Sequence, residues 1–319
     1  MLRFYILLLL ALAGSPVAAQ VPAAEKRIAL TFDDVPRAAG AFFTPEERTR
    51  RLIAELRKAK VEQAAFFVTV GNLDQPGGEG GERRIARYVQ SGHVIANHSF
   101  AHRALTQVSA EDYLADIDRA ETWLKGRKGH RAWFRYPFLN EGRNDKAKRD
   151  AVRAGLRARK LGYGFVTVDA SDWNMEARTA EAVKTNKKID KAALRDLYVE
   201  WHVEAAEFND RLARQTIGRS PVHVMLLHET DIAALYIGDL VRALRKAGWR
   251  IVTADEAFAD PIATATPDVP SAQGTLTEAL AWEKGLPAPR WYERASPRIA
   301  NPLFDQRVLK ERPLKGAAR

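Results

Sequence analysis

The sequence contains no cysteine among its 319 residues. This absence excludes disulfide bonds, thiolate metal ligands and cysteine nucleophiles, so a metal site must use histidine, aspartate or glutamate. Long hydrophobic runs are also missing, because the apolar run at residues 4–14 has only eleven residues, whereas a membrane-spanning helix needs about 20. The composition, with 46% hydrophobic and 28% charged residues, is typical of a globular protein.

The amino-terminal residues have the features of an export signal. Arg3 precedes the apolar run, and Val17-Ala18-Ala19 offers small residues at the spacing that signal peptidase accepts. We therefore predict a signal peptide at residues 1–19, cleaved after Ala19, and a periplasmic or secreted protein with no integral membrane segment after cleavage. The net charge of +10 suits an anionic partner or plain solubility, but export argues against a nucleic-acid partner.

Short apolar stretches alternate with helical patterns through most of the chain. The predicted strands are residues 27–32, 65–70, 93–97, 132–136, 163–168, 222–227 and 249–253. Helix signals lie between most of them, such as the capping box that begins at Thr44 and the cap at Ser109. This alternation is typical of parallel strands surrounded by helices, which either close into a barrel or remain an open sheet.

Two segments interrupt the alternation. Residues 174–220 separate the fifth and sixth strands and contain a predicted helix at 191–216. We interpret them as a helical insertion before strand six that packs beside the barrel or covers its mouth. After residue 260, the composition of residues 261–274 predicts a linker. The sequence therefore predicts a domain at residues 20–260 and a linker with a C-terminal extension at 261–319.

Ionisable residues follow five of the predicted strands. They are Asp33 and Asp34, His98 and His102, Arg135, Asp169 and Asp172, and His228. The active sites of proteins with parallel strands lie at the carboxyl ends of those strands, in barrels and in open sheets alike. We therefore expect these side chains to meet at one end of the sheet.

The residue types in this set suit hydrolysis assisted by a metal. Two histidines four residues apart are expected on one face of a helical turn, where both can hold one ion. A carboxylate would complete a site like that of catalytic zinc, which lowers the pKa of bound water to about 7. A second carboxylate paired with Arg135 would take the proton of that water, and His228 paired with Asp172 would protonate the leaving group. These roles predict cleavage of an acyl bond.

Five short motifs occur in order between residues 28 and 228. They are Thr31-Phe32-Asp33-Asp34, His98-Ser99-Phe100-Ala101-His102, Arg135-Tyr136-Pro137-Phe138, Asp169-Ala170-Ser171-Asp172-Trp173 and Leu226-Leu227-His228. In this order they resemble the motifs of the NodB-homology polysaccharide deacetylases, carbohydrate esterase family 4. The resemblance implies an α/β fold, a distorted (β/α)7 barrel. It also implies an exported metal-dependent deacetylase that removes acetyl groups, principally N-acetyl, from a carbohydrate polymer or oligomer.

The resemblance also implies which residues bind the metal and which residue is the base. Asp34, His98 and His102 look like the ligands of one divalent metal. Zinc suits two nitrogens and one carboxylate, as do cobalt, nickel and iron. Asp33 looks like the catalytic base, and Arg135 looks like the residue that orients it.

The remaining roles also come from the resemblance. His228 looks like the general acid, with a pKa adjusted by Asp172. The backbone N–H near Phe138, together with the metal, would stabilise the tetrahedral oxyanion. Trp173 and Leu226 would line the pocket for the acetyl group, and the partner would be an acetylated carbohydrate.

Some residues depart from the family pattern. Val35 stands where the first motif usually continues with glycine, and three residues precede Gly142 in the third motif. These departures leave open a hydrolase of the same fold that acts on another carbon–nitrogen bond, in a formamide or a cyclic ureide. A non-catalytic glycan-binding protein is the alternative of another class. The basic segment 143–160 is interpreted as a solvated helix face, with a strip facing an anionic glycan as its alternative.

Overall fold

Seven parallel strands form the centre of the protein. The computed structural model describes residues 25–270 and 274–311, and the predicted signal peptide at residues 1–19 lies outside these ranges. The strands are β1 (Lys26–Val35), β2 (Ala65–Val68), β3 (Val94–Asn97), β4 (His130–Phe134), β5 (Gly162–Tyr163), β6 (Val222–His228) and β7 (Trp249–Ile251). Each overlaps one predicted strand, so the predicted order of strands is confirmed.

The strands are ordered β5-β4-β3-β2-β1-β6, with β1 next to β6. The pairing of β6 with β1 continues to Asp33, which lies opposite His228. The opposite edge of β1 pairs with β7 near its start and with β2 near its end. A parallel bridge between Val168 and Met225 joins the chain beyond β5 to β6. This bridge connects the two ends of the sheet and gives the distorted barrel that the family resemblance implies.

The fifth strand is shorter than the predicted 163–168. Only Gly162 and Tyr163 pair with β4. The next two carbonyl groups, of Gly164 and Phe165, instead accept hydrogen bonds from the guanidinium of Arg135 at 2.7 and 3.3 Å. The regular strand ends early because a side chain occupies acceptors that a neighbouring strand would otherwise use.

The core consists mainly of apolar side chains from the central strands. Leu30, Phe32, Phe66 and Leu227 are fully buried, and the rings of Phe32 and Phe66 stack with their centroids 5.0 Å apart. Parallel strands covered by helices are buried on both faces, which explains why these segments are almost continuously apolar in sequence. Burial of each such side chain contributes about 1.5–3 kcal/mol to the free energy of unfolding.

Helices surround the sheet and follow the predicted pattern. They are α1 (Pro45–Lys58), α2 (Gly81–Gln90), α3 (Ala110–Leu124), α4 (Lys146–Ala158), α5 (Asp172–Lys184), α6 (Lys191–Ile217), α7 (Asp231–Lys246), α8 (Ala254–Phe258), α9 (Leu276–Glu283) and α10 (Pro297–Arg307). The predicted capping box is present at Thr44, whose hydroxyl accepts a hydrogen bond from the N–H of Glu47. No described helix is long and apolar enough to cross a membrane.

The predicted insertion is helical and lies beside the barrel. Its long helix, α6, buries Leu197 and Trp201 and packs against α7, α9 and α10. The preceding helix, α5, begins at Asp172 and reaches the end of the barrel where the charged residues meet. The segment after residue 260 also packs on the barrel, because the N–H of Leu276 donates to the carbonyl of Val166. The domain boundary at residue 260 stays a prediction.

Candidate active site

Six of the eight ionisable residues predicted from the strand ends line one cleft, and the other two, Arg135 and Asp172, are buried behind it. This cleft has a volume of about 620 Å³, within the usual range for ligand sites. Its lining includes Asp33, Asp34, His98, His102, Phe138, Asp169, Trp173, Leu226 and His228. Because every pairing in the sheet is parallel, β1, β3 and β6 bring residues from distant parts of the chain to the same end.

The two aspartates at the end of β1 point their carboxylates to different partners. Asp33 still pairs with β6, whereas Asp34 has a φ of +65°. This left-handed conformation is one that aspartate tolerates better than most residues. The backbone therefore turns between the two residues, and their side chains take separate positions in the cleft.

The two histidines meet in a loop, so their predicted placement on one helical turn is wrong. Ser99 and His102 have φ values of +70° and +51°, which a right-handed helix does not allow. Side chains hold the turn: Asn97 Oδ1 accepts from the N–H of Ser99, and Ser99 Oγ accepts from the N–H of His102. The ring centroids of His98 and His102 are 5.0 Å apart. The predicted proximity is correct although the predicted conformation is not.

Asp34, His98 and His102 form a group that can hold a cation. Their potential ligand atoms all lie within 4.8 Å of one another. Asp34 Oδ1 lies 3.0 Å from Nε2 of His102 and 3.5 Å from Nε2 of His98. This oxygen is buried and lacks a hydrogen bond of good geometry. A buried oxygen of this kind, next to two imidazole nitrogens, fits the donor set of a divalent transition metal.

The electrostatic surroundings favour the ionised form of Asp34, which is the form that binds a metal. Burial by itself opposes ionisation of this carboxyl group, but the nearby imidazoles of His102 and His98 outweigh it. The pKa of Asp34 therefore lies well below its usual range. The ring of His98 is held by its Nδ1, which lies 3.0 Å from the carbonyl oxygen of Arg135, an arrangement common for metal-binding histidines.

Asp33 lies beside this group and is held by a buried arginine. Arg135 Nη1 donates to Asp33 Oδ1 at 2.6 Å and to Thr31 Oγ1 at 2.8 Å. Asp33 Oδ2 faces the other way, 3.6 Å from Nε2 of His98. Arg135 is completely buried, with its guanidinium over the ring of Phe67. Arg135 therefore fixes one oxygen of Asp33 and directs the second oxygen toward the histidines.

His228 and the buried Asp172 form a second pair at the cleft. His228 Nδ1 lies 2.6 Å from Asp172 Oδ1, and the backbone N–H of His228 donates to Asp172 Oδ2. Burial alone would lower the pKa of His228, but the carboxylate of Asp172 outweighs it and raises this pKa to about 9. In turn, burial opposes ionisation of Asp172, but His228 holds its pKa below the usual value. The imidazole is therefore protonated at neutral pH.

Apolar side chains form the walls of the cleft. Phe138 and Trp173 are large apolar residues that are unusually exposed, at 65% and 44% of their surface. The ring of Phe138 lies 4.6 Å from that of His102. Leu226 is buried deeper, at the end of β6. These three residues provide apolar surface around the charged groups.

Three charged residues of the cleft have no predicted role. Arg37 forms an ion pair with Asp34, and Arg143 lines the cleft as the first residue of the basic segment. Asp169 follows β5. Burial raises the pKa of Asp169 to about 6, although the hydrogen bond from the N–H of Ser171 acts to lower it. The sequence did indicate Asp169 as a site residue, because it begins the fourth motif. The side-chain directions of the two arginines could not be read from spacing.

Comparison with known proteins matches part of the chain to one family model. Residues 20–159 match the family model described as polysaccharide deacetylase. The matched residues include Asp33, Asp34, both histidines and Arg135, while Asp172 and His228 lie beyond residue 159.

The chain is similar to two known proteins and to one solved structure. A chitin deacetylase from Colletotrichum lindemuthianum is 24% identical over 236 residues, which are 73% of this chain and 79% of that protein. The peptidoglycan-N-acetylmuramic acid deacetylase PdaC from Bacillus subtilis is 30% identical over 149 residues, which are 47% of this chain and 27% of that protein. The structure of the chitin deacetylase from Colletotrichum lindemuthianum covers 75% of this chain and 90% of its own, with a TM-score of 0.50 and 21% identity. This structural likeness supports the fold.

Proposed function

We propose that this protein is an exported, metal-dependent deacetylase that hydrolyses N-acetyl groups on a carbohydrate polymer or oligomer. One observation carries the proposal: a group suited to a metal, a carboxylate fixed by Arg135 and a protonated His228 all line the same open cleft. The names of the similar proteins, a chitin deacetylase and a peptidoglycan-N-acetylmuramic acid deacetylase, support an N-acetylated glycan as the substrate class.

Asp34, His98 and His102 would hold the divalent metal. Two imidazole nitrogens and one carboxylate oxygen suit zinc, and also cobalt, nickel or iron. Such a cation supplies Lewis acidity, which makes water more acidic and polarises an acyl oxygen. The absence of cysteine means that the ligand set is made of nitrogen and oxygen alone.

Asp33 would be the base that accepts the proton of the attacking water. Its Oδ1 is occupied by the hydrogen bond from Arg135, and its Oδ2 faces the proposed metal site. The proton would therefore pass to Oδ2. Arg135 also donates to Thr31 and to two backbone carbonyl groups, so these hydrogen bonds fix its position independently of Asp33. We infer that Arg135 contributes orientation rather than proton transfer.

His228 would be the acid that protonates the leaving amine. A general acid must carry its proton at the working pH, and the raised pKa of His228 meets this requirement. Asp172 binds Nδ1, which leaves Nε2 to donate the proton toward the cleft. The exposed rings of Phe138 and Trp173 would pack on the sugar, Leu226 would contact the acetyl methyl group, and the N–H near Phe138 would stabilise the oxyanion.

Replacing Asp172 by asparagine should change the pH dependence of the reaction. His228 is active while protonated, so the wild-type rate should fall as the pH rises through the His228 pKa of about 9. Without the carboxylate, burial dominates and the pKa of His228 falls. The alkaline limb of kcat/KM should therefore move to lower pH by about 1–3 units, as measured in a series of buffers.

A matched control for this experiment lies outside the cleft. Asp210 is also buried and also faces a histidine, His223, at 3.4 Å. Asp210→Asn should leave the alkaline limb in place. An unchanged limb in Asp172→Asn would show that His228 is not the acid whose titration controls the rate.

The deacetylase proposal is tested by acetate release from defined glycans. Chitooligosaccharides, peptidoglycan and acetylxylan should be compared with a formamide and a cyclic ureide as other amide substrates. We expect acetate from an N-acetylated glycan, loss of release after treatment with a chelator, and recovery when a divalent metal is added. Metal-loaded protein that binds glycan but releases no acetate would favour the non-catalytic alternative. Turnover of only the formamide or ureide would favour the other hydrolase.

A further inference from the structure

Arg37 makes a contact that the family resemblance does not assign. Its Nη1 donates to Asp34 Oδ2 at 2.7 Å, three residues along the chain from that aspartate. The other oxygen, Asp34 Oδ1, is the one that faces His98 and His102. The two oxygens of one carboxylate therefore have different partners, a guanidinium on one side and two imidazoles on the other.

The backbone of Arg37 is fixed by two buried charged residues. Its N–H donates to Glu229 Oε2 at 2.8 Å, and its carbonyl accepts from Arg48 Nη2 at 2.7 Å. Glu229 and Arg48 are almost completely buried, at 0% and 1% exposure. Tyr88 donates to the other oxygen of Glu229 at 2.7 Å. Both backbone groups of this loop residue are thus attached to the core of the protein.

A second part of the same network holds the chain that follows Arg37. Asp231 Oδ2 accepts from the N–H groups of Phe42 and Phe43, and Asp231 Oδ1 lies 3.3 Å from Arg48. At Gly40, a Cβ atom would clash with the Asp231 carboxylate, which these hydrogen bonds hold in place. The loop after β1 is therefore built around buried acids, which limits the positions available to the Arg37 guanidinium.

We infer that Arg37 is a positioning residue that holds Asp34 Oδ2 so that only Oδ1 is presented to the metal site. This inference rests on the proposed metal role of Asp34, His98 and His102. A charge-assisted hydrogen bond is stronger than a neutral one, and it fixes the orientation of the carboxylate. Hydrogen-bonding partners of metal ligands typically change metal affinity by roughly 10–100-fold when they are removed.

The direction in which metal affinity changes when Arg37 is removed distinguishes two roles for this residue. A guanidinium close to a metal ion repels it, so an arginine that contributed only charge would weaken metal binding. Its removal would then strengthen binding. An arginine that orients Asp34 gives the opposite result, because its removal leaves the carboxylate free to rotate away from the two histidines.

The test is the affinity of the purified protein for Zn²⁺, measured by competition with a chromophoric chelator. Arg37→Gln should bind Zn²⁺ roughly 10–100-fold more weakly than wild type. Arg37→Lys retains a positive charge and a donor, and should recover part of this loss. Arg143→Gln is the matched control, because Arg143 lines the same cleft and no ion pair joins it to another described residue. The control should stay within about threefold of wild type, as expected for an exposed charge.

The outcomes separate this inference from the proposed function. If wild type binds Zn²⁺ and Arg37→Gln binds it equally or more tightly, the positioning role is wrong and the metal site stands. Equal weakening in Arg37→Gln and Arg143→Gln would show that the loss is not specific to the contact with Asp34, and would also overturn the positioning role. If wild type binds no Zn²⁺, both proposals fail. The circular dichroism and melting temperature of the metal-free variants show whether each is folded, and Arg37→Lys decides the question if Arg37→Gln is not.

Discussion

Asp33→Asn is expected to reduce the rate of acetate release by about 10²–10⁴-fold, the usual contribution of a general base. The asparagine amide can still accept the hydrogen bond from Arg135 through its oxygen, so the geometry of the cleft is preserved. It cannot accept the proton of the attacking water. The rate should be measured as kcat/KM on the glycan that wild type hydrolyses, with Zn²⁺ affinity measured on the same samples.

Asp169→Asn provides the comparison for this variant. Asp169 lines the same cleft, and its pKa of about 6 means that much of it carries a proton in mildly acidic solution. An amide there should slow acetate release less than tenfold at pH 6. Equal losses in the two variants, or a large loss of metal affinity in Asp33→Asn, would contradict the base role of Asp33.

Arg135→Met is expected to lower the free energy of unfolding by about 3–5 kcal/mol, because breaking a buried ion pair leaves an unpaired charge. Arg135 is completely buried and donates to Asp33, Thr31 and Gly164. Methionine fills similar volume but makes none of these hydrogen bonds. The measurement is urea unfolding of the protein in the presence of a chelator, with stability taken from linear extrapolation.

The double variant Arg135→Met, Asp33→Asn tests whether the ion pair causes this loss. Removing the carboxylate as well leaves no unpaired charge, so the double variant should be more stable than the sum of the two single effects predicts. Additive effects would show that Asp33 and Arg135 do not interact energetically. The loss in Arg135→Met would then come from the hydrogen bonds to Thr31 and Gly164.

The strands could be predicted because parallel strands inside a helical layer are apolar along their whole length. This pattern locates β1, β2 and β6 within a few residues of their true bounds. It fails at β5, where residues 164–168 are as apolar as a strand but Gly164 and Phe165 accept from Arg135. No local sequence pattern indicates that the side chain of Arg135, which directly follows β4, takes those acceptors.

In the candidate site, too, some features could be predicted from the sequence and others could not. The spacing of His98 and His102 correctly predicts that they meet, although it predicts a helical turn where the chain forms a loop with positive φ at Ser99 and His102. The caps that hold this loop, Asn97 and Ser99, act over two or three residues, but they resemble ordinary turn residues in sequence. Arg37 could not be placed because its position depends on Glu229, which is nearly 200 residues away.

The metal content of the purified protein, and its affinity for Zn²⁺, is the measurement that tests the central claim most directly. Wild type should bind one equivalent per chain, and His98→Ala/His102→Ala should lose this binding, while His130→Ala should retain it because His130 does not line the cleft. Absence of stoichiometric binding in wild type, or binding that survives in the double variant, would show that Asp34, His98 and His102 do not form a metal site.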